Sequence, residues 1–206
     1  MNKNIPRVLV SDKISKSTLK ILENKNIAVD FLPDLGVKNE LGSHIAYYDG
    51  LIIRSASDVN SNVLSKAKKL RVVGRAGIGV DNVDIEAATS RGIVVMNTPN
   101  GNAITTAEHT IAMIFAVSRQ ISAADQSTQK GRWEKSKFMG QELTGKVLGL
   151  VGVGNIGSVV AERAFGLKLK VIAYDPFLTE ERVQSLGIKR INSLEELVSE
   201  ADIISL

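Results

Sequence analysis

Short aliphatic and β-branched runs alternate with longer amphipathic stretches through the first half of the chain. The runs are "RVLVS" (7–11), "IAVDFL" (27–32), "GLIIRS" (50–55), "LRVVGR" (70–75) and "IVVMN" (93–97). Between them lie "SKSTLKILENK", "KNELGSHIAYY", "NSNVLSKAKK" and "NVDIEAATSRG", each polar on one side with apolar residues at helical spacing. Near-continuous apolar strands separated by helices predict parallel strands covered on both faces, an open α/β sheet. From 102 to 130 the pattern turns helical over one long stretch, with Thr105 and Glu108 at capping-box spacing. The segment "KGRWEKSKFMGQELTG" (130–145) is polar and punctuated by glycine, and is expected to be a connecting arm. Alternation then restarts: strand "KVLGLVG", helix 155–166, strand "LKVIAYD", helices near 179–186 and 193–200, and a last strand "ADIISL". The boundary between the two α/β units falls near residue 98, giving domains 1–98 and 99–206.

Composition narrows the partners. A hydrophobic fraction of 44% supports a real core, so a globular protein is expected. The net charge of +4 is scattered along the chain, which fits small anionic ligands better than nucleic acid. Without cysteine there is no disulfide and no thiolate metal site, in keeping with a reducing cytoplasm. The start "MNKNIPRVLVSD" lacks a signal-peptide pattern, and no run approaches the roughly 20 apolar residues of a membrane helix. A soluble, cytoplasmic protein without membrane partners is the expectation. His44 and His109 have no metal-ligand spacing; His109, on the apolar helix, reads as a core or interface residue.

The second unit carries the sharpest motif. Gly152, Gly154 and Gly157 fit G-x-G-x-x-G between the strand "VLGLV" and the helix "NIGSVVAERAF". In a nucleotide-binding turn the first glycine permits the bend, the second lets a pyrophosphate approach, and the third lets helix and strand pack closely. The helix N-terminus then faces the phosphates. Asp175 ends the next strand, where a carboxylate can accept from ribose hydroxyls and repel a 2′-phosphate, pointing to NAD. The plainer alternative is a packing turn and an ordinary strand-end acid.

A second cluster lies at strand ends of the first unit. Arg54 and Ser55 follow one strand, Gly77 and Gly79 another, and Asn97, Thr98, Asn100 and Asn102 a third. In open parallel sheets ligands collect outside these carboxyl ends. A cation, exposed backbone amides in an anion nest and carboxamides would suit a carboxylate- or phosphate-bearing substrate. Each also has a simpler reading: Arg54 paired with an acid, glycines serving a tight turn, asparagines as turn and cap residues. Arg132, Lys135 and Lys137 beside Trp133 read equally as a solvated loop or as a patch that meets a partner subunit.

Four stretches, "GLIIRSASDVN", "LRVVGRAGIGVDNVDIEAAT", "GIVVMNTPNGNAITTAEHT" and "GRWEKSKFMGQELTGKVLGLVGVGNIG", resemble the D-2-hydroxyacid dehydrogenase family in order and spacing. Within the family the likeness is to the branch acting on 3-phosphoglycerate, and it spans essentially the whole chain. The resemblance implies a flavodoxin-like substrate domain followed by an incomplete Rossmann NAD-binding domain. It implies that Arg54, Ser55, Gly77 and Asn102 lie on the substrate side, and that Ile78, Asn155, Ile156 and Asp175 join the glycine turn in holding NAD. The implied reaction of the complete protein is oxidation of 3-phospho-D-glycerate to 3-phosphohydroxypyruvate, the first step of serine biosynthesis. The family's catalytic arginine, glutamate and histidine correspond to positions beyond Leu206. No catalytic residue is therefore expected in this chain, which reads as the inactive front part of an enzyme. A homodimer or higher homo-oligomer, dimerising chiefly through the NAD domain with the Trp133 arm contributing, is also implied. A hydroxypyruvate or glyoxylate reductase of the same family, or a non-catalytic NAD-sensing interaction protein, remain the alternatives.

Overall fold

The computed structural model describes residues 5–206 and divides into two compact units after Gly101. The first unit runs β1 (Arg7–Val10), α1 (Lys16–Glu23), β2 (Ala28–Phe31), α2 (Leu41–His44) with a 3₁₀ turn (Ile45–Tyr47), β3 (Gly50–Ile53), α3 (Ser61–Lys66), β4 (Val72–Arg75), α4 (Ile85–Ser90) and β5 (Val94–Asn97). Three of its helices start where a side-chain oxygen accepts an orphan N–H: Ser15 from Thr18, Asn60 from Val63 and Asp84 from Ala87. The strands are all parallel in the order β2-β1-β3-β4-β5, the flavodoxin-like doubly wound arrangement. Register places Leu9, Leu51, Val73 and Val95 side by side across four strands. Leu9, Leu51 and Val73 are buried in the unit's core with Val95 packed against them. At the carboxyl ends the row changes character: Ile53 lies beside Arg75, and Arg75 beside Asn97.

The second unit comprises α5 (Ala103–Ser118), α6 (Ile121–Gln129), a 3₁₀ turn (Lys135–Lys137), β6 (Val147–Val151), α7 (Asn155–Gly166), β7 (Lys170–Tyr174), α8 (Glu180–Leu186), β8 (Lys189–Arg190), α9 (Leu194–Glu200) and β9 (Ile203–Ser205). Its parallel sheet has the order β8-β7-β6-β9, which is 3-2-1-4 in the unit's own chain order and therefore Rossmann-like. Leu148 and Leu150 of β6 form its core with Ala107 and Ile114 of α5 and Val160, Ala161 and Ala164 of α7.

Three local expectations are corrected, and one unpredicted strand, β8, is added. The single helix across 102–130 is two, because Gln120 takes the left-handed conformation (φ 52°) and ends the first. Thr105 does not cap: α5 starts at Ala103 behind Asn102, so Thr105 already lies inside its first turn. The two exposed residues of β8 carry no apolar run and left no pattern to read. The stretch "KNELGSHIAYY" is helical only over four residues before tightening into its 3₁₀ turn. Among the described residues no helix is long and apolar enough to cross a membrane.

Candidate functional site

The glycine turn follows β6 directly, and its three glycines are required for three different reasons. Gly152 adopts φ 98°, open to few L side chains, and its N–H is donated to the Tyr174 carbonyl at 2.8 Å. A methyl group at Gly157 would collide with the Gly152 carbonyl, so the first turn of α7 can fold back onto the bend only without a Cβ there. Gly154 has neither constraint. Its φ is −71°, and a methyl group built on it meets no protein atom within 4 Å. The space over Gly154 is open, as it must be if something other than protein approaches the backbone there.

Asn155 and Ile156 are the first two residues of α7, Asn155 exposed and Ile156 half-buried against the core. The helical ladder begins only with Ser158 N–H to the Gly154 carbonyl at 3.0 Å, so the preceding amides lie ahead of it at the positive end of the helix. Asp175, just past β7, is half-buried, and each carboxylate oxygen accepts one backbone N–H: Val153 at 2.9 Å and Phe177 at 2.8 Å. The acid thus braces the turn, and each oxygen keeps a further lone-pair direction. Two participants escaped the sequence reading. The Ser158 hydroxyl donates back to the Gly154 carbonyl at 2.7 Å, and Arg182 in the first turn of α8 donates to that hydroxyl at 2.8 Å. Ser158 was recoverable from its i+4 spacing to Gly154; Arg182 is brought in by tertiary packing alone.

In the first unit the ligand position of such a sheet lies outside β1 and β3, where the strand order reverses. Arg54 leaves β3 with an exposed guanidinium whose NH1 group donates to the Lys13 carbonyl at 3.3 Å. Its main-chain N–H, not its cation, meets the carboxylate of Asp12. Ser55 beside it is exposed. The loop after β4 departs from expectation at one group. Gly77 N–H is donated to the Arg75 carbonyl at 2.9 Å, so it is committed to a tight turn and is not offered as part of an anion nest. The Gly77 carbonyl accepts Thr98 N–H at 2.9 Å, and the Ile78 carbonyl accepts the Asn97 amide at 2.7 Å, lacing this loop to the end of β5.

The predicted residues therefore separate. Arg54, Ser55, Gly77 and Ile78 belong to the first unit; Asn102, the glycine turn and Asp175 belong to the second. Asn102 is the N-cap of α5, but its carboxamide makes no capping bond; its carbonyl accepts Thr106 N–H at 2.9 Å. His109, read as a core or interface residue, is exposed on α5, so the core half of that reading does not hold. Asp12 and Asn82, both prominent at the first rim, were missed because nothing local marks them.

Electrostatics at the opposite, amino end of the first sheet serve the fold. Burial and the neighbouring Asp30 carboxylate push the Tyr48 phenol up to about 12, and Tyr48 and Arg7 in turn lower Asp30. Arg7 reaches Asp30 at 2.6 Å and lies 5.3 Å from the centre of the Tyr48 ring. In the second unit the Val147 N–H, and then Lys146, lower Asp202.

Residues 8–205 match the catalytic domain of the D-isomer specific 2-hydroxyacid dehydrogenases. The chain is 42% identical over 200 residues to D-3-phosphoglycerate dehydrogenase of Archaeoglobus fulgidus and 47% identical over 203 residues to that of Sus scrofa. These alignments cover 97% and 98% of this chain and 38% of each relative, so the chain spans well under half their length. Its structure is similar to the NAD⁺-bound 3-phosphoglycerate dehydrogenase of Entamoeba histolytica, with a TM-score of 0.78 at 31% identity. That superposition covers 98% of this chain and 62% of the other.

Proposed function

Because the chain belongs to the D-isomer specific 2-hydroxyacid dehydrogenase family, we propose that it carries the substrate domain and the dinucleotide turn of an enzyme oxidising 3-phospho-D-glycerate to 3-phosphohydroxypyruvate with NAD. On this reading residues 1–98 are the substrate domain and 99–206 the NAD domain of a cytoplasmic enzyme of serine biosynthesis. The observation that carries it is Gly154: neither backbone angle nor packing excludes a side chain, while a pyrophosphate lying on the turn would.

NAD, when bound, supplies the hydride acceptor. The chain's own residues bind and orient. The turn amides and the start of α7 receive the phosphates, with Asn155 and Ile156 at the helix entry. Asp175, held by two backbone donors, points its remaining lone pairs at the ribose hydroxyls and disfavours a 2′-phosphate by like charge. On the other unit the Arg54 guanidinium and the Ser55 hydroxyl receive the substrate's anionic end, and orientation is their whole contribution. By the family resemblance Ile78 is assigned to NAD and Asn102 to the substrate. Proton transfer is assigned to no residue of these 206, and the chain alone is proposed to bind without turnover. The exposed Trp133 (86%) and Met139 on the arm would be covered in a homodimer.

Calorimetric titration tests the reading. NAD should release heat on binding this chain and NADP should bind at least tenfold more weakly. Equal affinity for the two, or no heat with either, would sink it. Binding of 3-phosphoglycerate in preference to unphosphorylated glycerate separates this substrate from those of the family's hydroxypyruvate and glyoxylate reductases.

A further inference from the structure

We infer that Asp12 and Asn82 are positioning residues that fix the Arg54 loop for the substrate's anion, an inference that rests on the reading of Arg54 as a substrate-binding cation. The guanidinium is tethered lightly, by one bond to the Lys13 carbonyl. The backbone beneath it is gripped from two sides. Asp12 turns one carboxylate oxygen to Arg54 N–H and to Ser57 N–H (3.3 Å), and the other to the Ser57 hydroxyl at 2.9 Å. That hydroxyl is also 2.7 Å from the Ser11 hydroxyl. From the opposite side the Asn82 carboxamide donates to the Arg54 carbonyl at 2.7 Å and to the Ser57 carbonyl at 2.6 Å. Asn82 is itself anchored, because its main-chain carbonyl accepts Val59 N–H at 2.9 Å and its side-chain oxygen accepts Arg75 Nε–H at 3.3 Å. The N–H and the C=O of both residues that bound the loop, Arg54 and Ser57, are therefore committed to two side chains far away in sequence.

Charge points the same way. Asp12 is 2% exposed, and no cation pairs with it among the described residues. Burying an unpaired carboxylate is unfavourable unless donors surround it, and its charge opposes any anion bound nearby. A group so placed is unsuited to touch an anionic substrate. What it does is hold three donors of a single loop. Asn82 offers the complement, two N–H groups for the same loop's two carbonyls, and no other side-chain type of that size supplies two donors and an acceptor without charge.

The test is 3-phosphoglycerate binding to this chain, followed by two-dimensional amide NMR, for the parent, Asn82→Ala, Asp12→Asn, Arg54→Ala and the Arg54→Ala/Asn82→Ala pair. Asn82→Ala and Asp12→Asn should each weaken binding by about tenfold, the loss of one or two hydrogen bonds' worth of order. In the Arg54→Ala background Asn82→Ala should change affinity less than about twofold, because the group it positions is gone. NAD affinity should stay at the parent value, and hydrogen exchange at the Arg54 and Ser57 amides should quicken. Asn82 lies on a partly exposed rim, so Asn82→Ala carries the test should Asp12→Asn fail to fold. Parent-like affinity for Asn82→Ala, or an equal loss with and without Arg54, overturns the positioning role while leaving Arg54 as a ligand. An Arg54→Ala chain that binds like the parent, or a parent that does not bind, removes the underlying reading and the inference with it.

Discussion

The two candidate rims, each outside the carboxyl ends of a parallel sheet, are built from different materials. The rim of β6 and β7 is made of main chain: a glycine bend, a helix start and one strand-end carboxylate that braces the bend. The rim of β1, β3 and β4 is made of side chains, with Asp12, Arg54, Ser57 and Asn82 converging from segments 25 to 45 positions apart. A backbone site needs few residue identities but tolerates no Cβ at the wrong place. A side-chain site tolerates local change but depends on every long-range partner.

The contrast predicts where each site breaks. The largest effect should come from Gly157→Val, which drives a branched side chain into the Gly152 carbonyl. NAD binding should fall more than about 100-fold with roughly 1–3 kcal/mol of lost stability, while 3-phosphoglycerate binding to the first unit persists. Retained NAD affinity in that variant would show that the turn is not the site. Gly154→Ala should separate function from folding: NAD affinity down about tenfold, stability changed by less than about 1 kcal/mol, since the methyl group meets only open space. A matching fall in melting temperature would return Gly154 to a packing role.

Asp175→Asn keeps the shape and removes the charge. NAD affinity should drop about fivefold and discrimination against NADP should shrink by about tenfold, both read by calorimetry. Unchanged discrimination would leave Asp175 as a brace only. On the side-chain rim, Arg54→Lys should weaken 3-phosphoglycerate about threefold to fivefold, because an ammonium keeps the charge and loses the planar fork.

The smallest effect is common to both units. Asp30 is lowered chiefly by the Tyr48 hydroxyl, and Asp202 chiefly by the Val147 N–H. Depressed carboxyls contribute stability above their ordinary range and lose it as the pH falls through their lowered native values. Both side chains are partly open to solvent, so acid should lower the melting temperature only modestly below about pH 4. Asp30→Asn should flatten that decline in the first unit alone, and Asp202→Asn in the second, as seen by residue-resolved thermal melts. A decline unchanged in both variants would assign it to other groups.

Alternating apolar runs were enough to predict two parallel α/β units, because strands covered on both faces must be apolar along their length. Three glycines at fixed spacing and an acid one strand later were enough to locate the turn, because the bend, the helix start and the brace are consecutive in the chain. The break at Gln120 and the two-residue β8 were not readable: the first depends on one backbone angle, and the second on pairing with β7. Nor was the frame around Arg54. Which acid meets its N–H, which amide meets its carbonyl, and that Gly77 spends its N–H inside its own turn follow only once strand order brings β1, β3 and β4 together. Local spacing can specify a site made of backbone; a site made of distant side chains exists only after the sheet has chosen its neighbours.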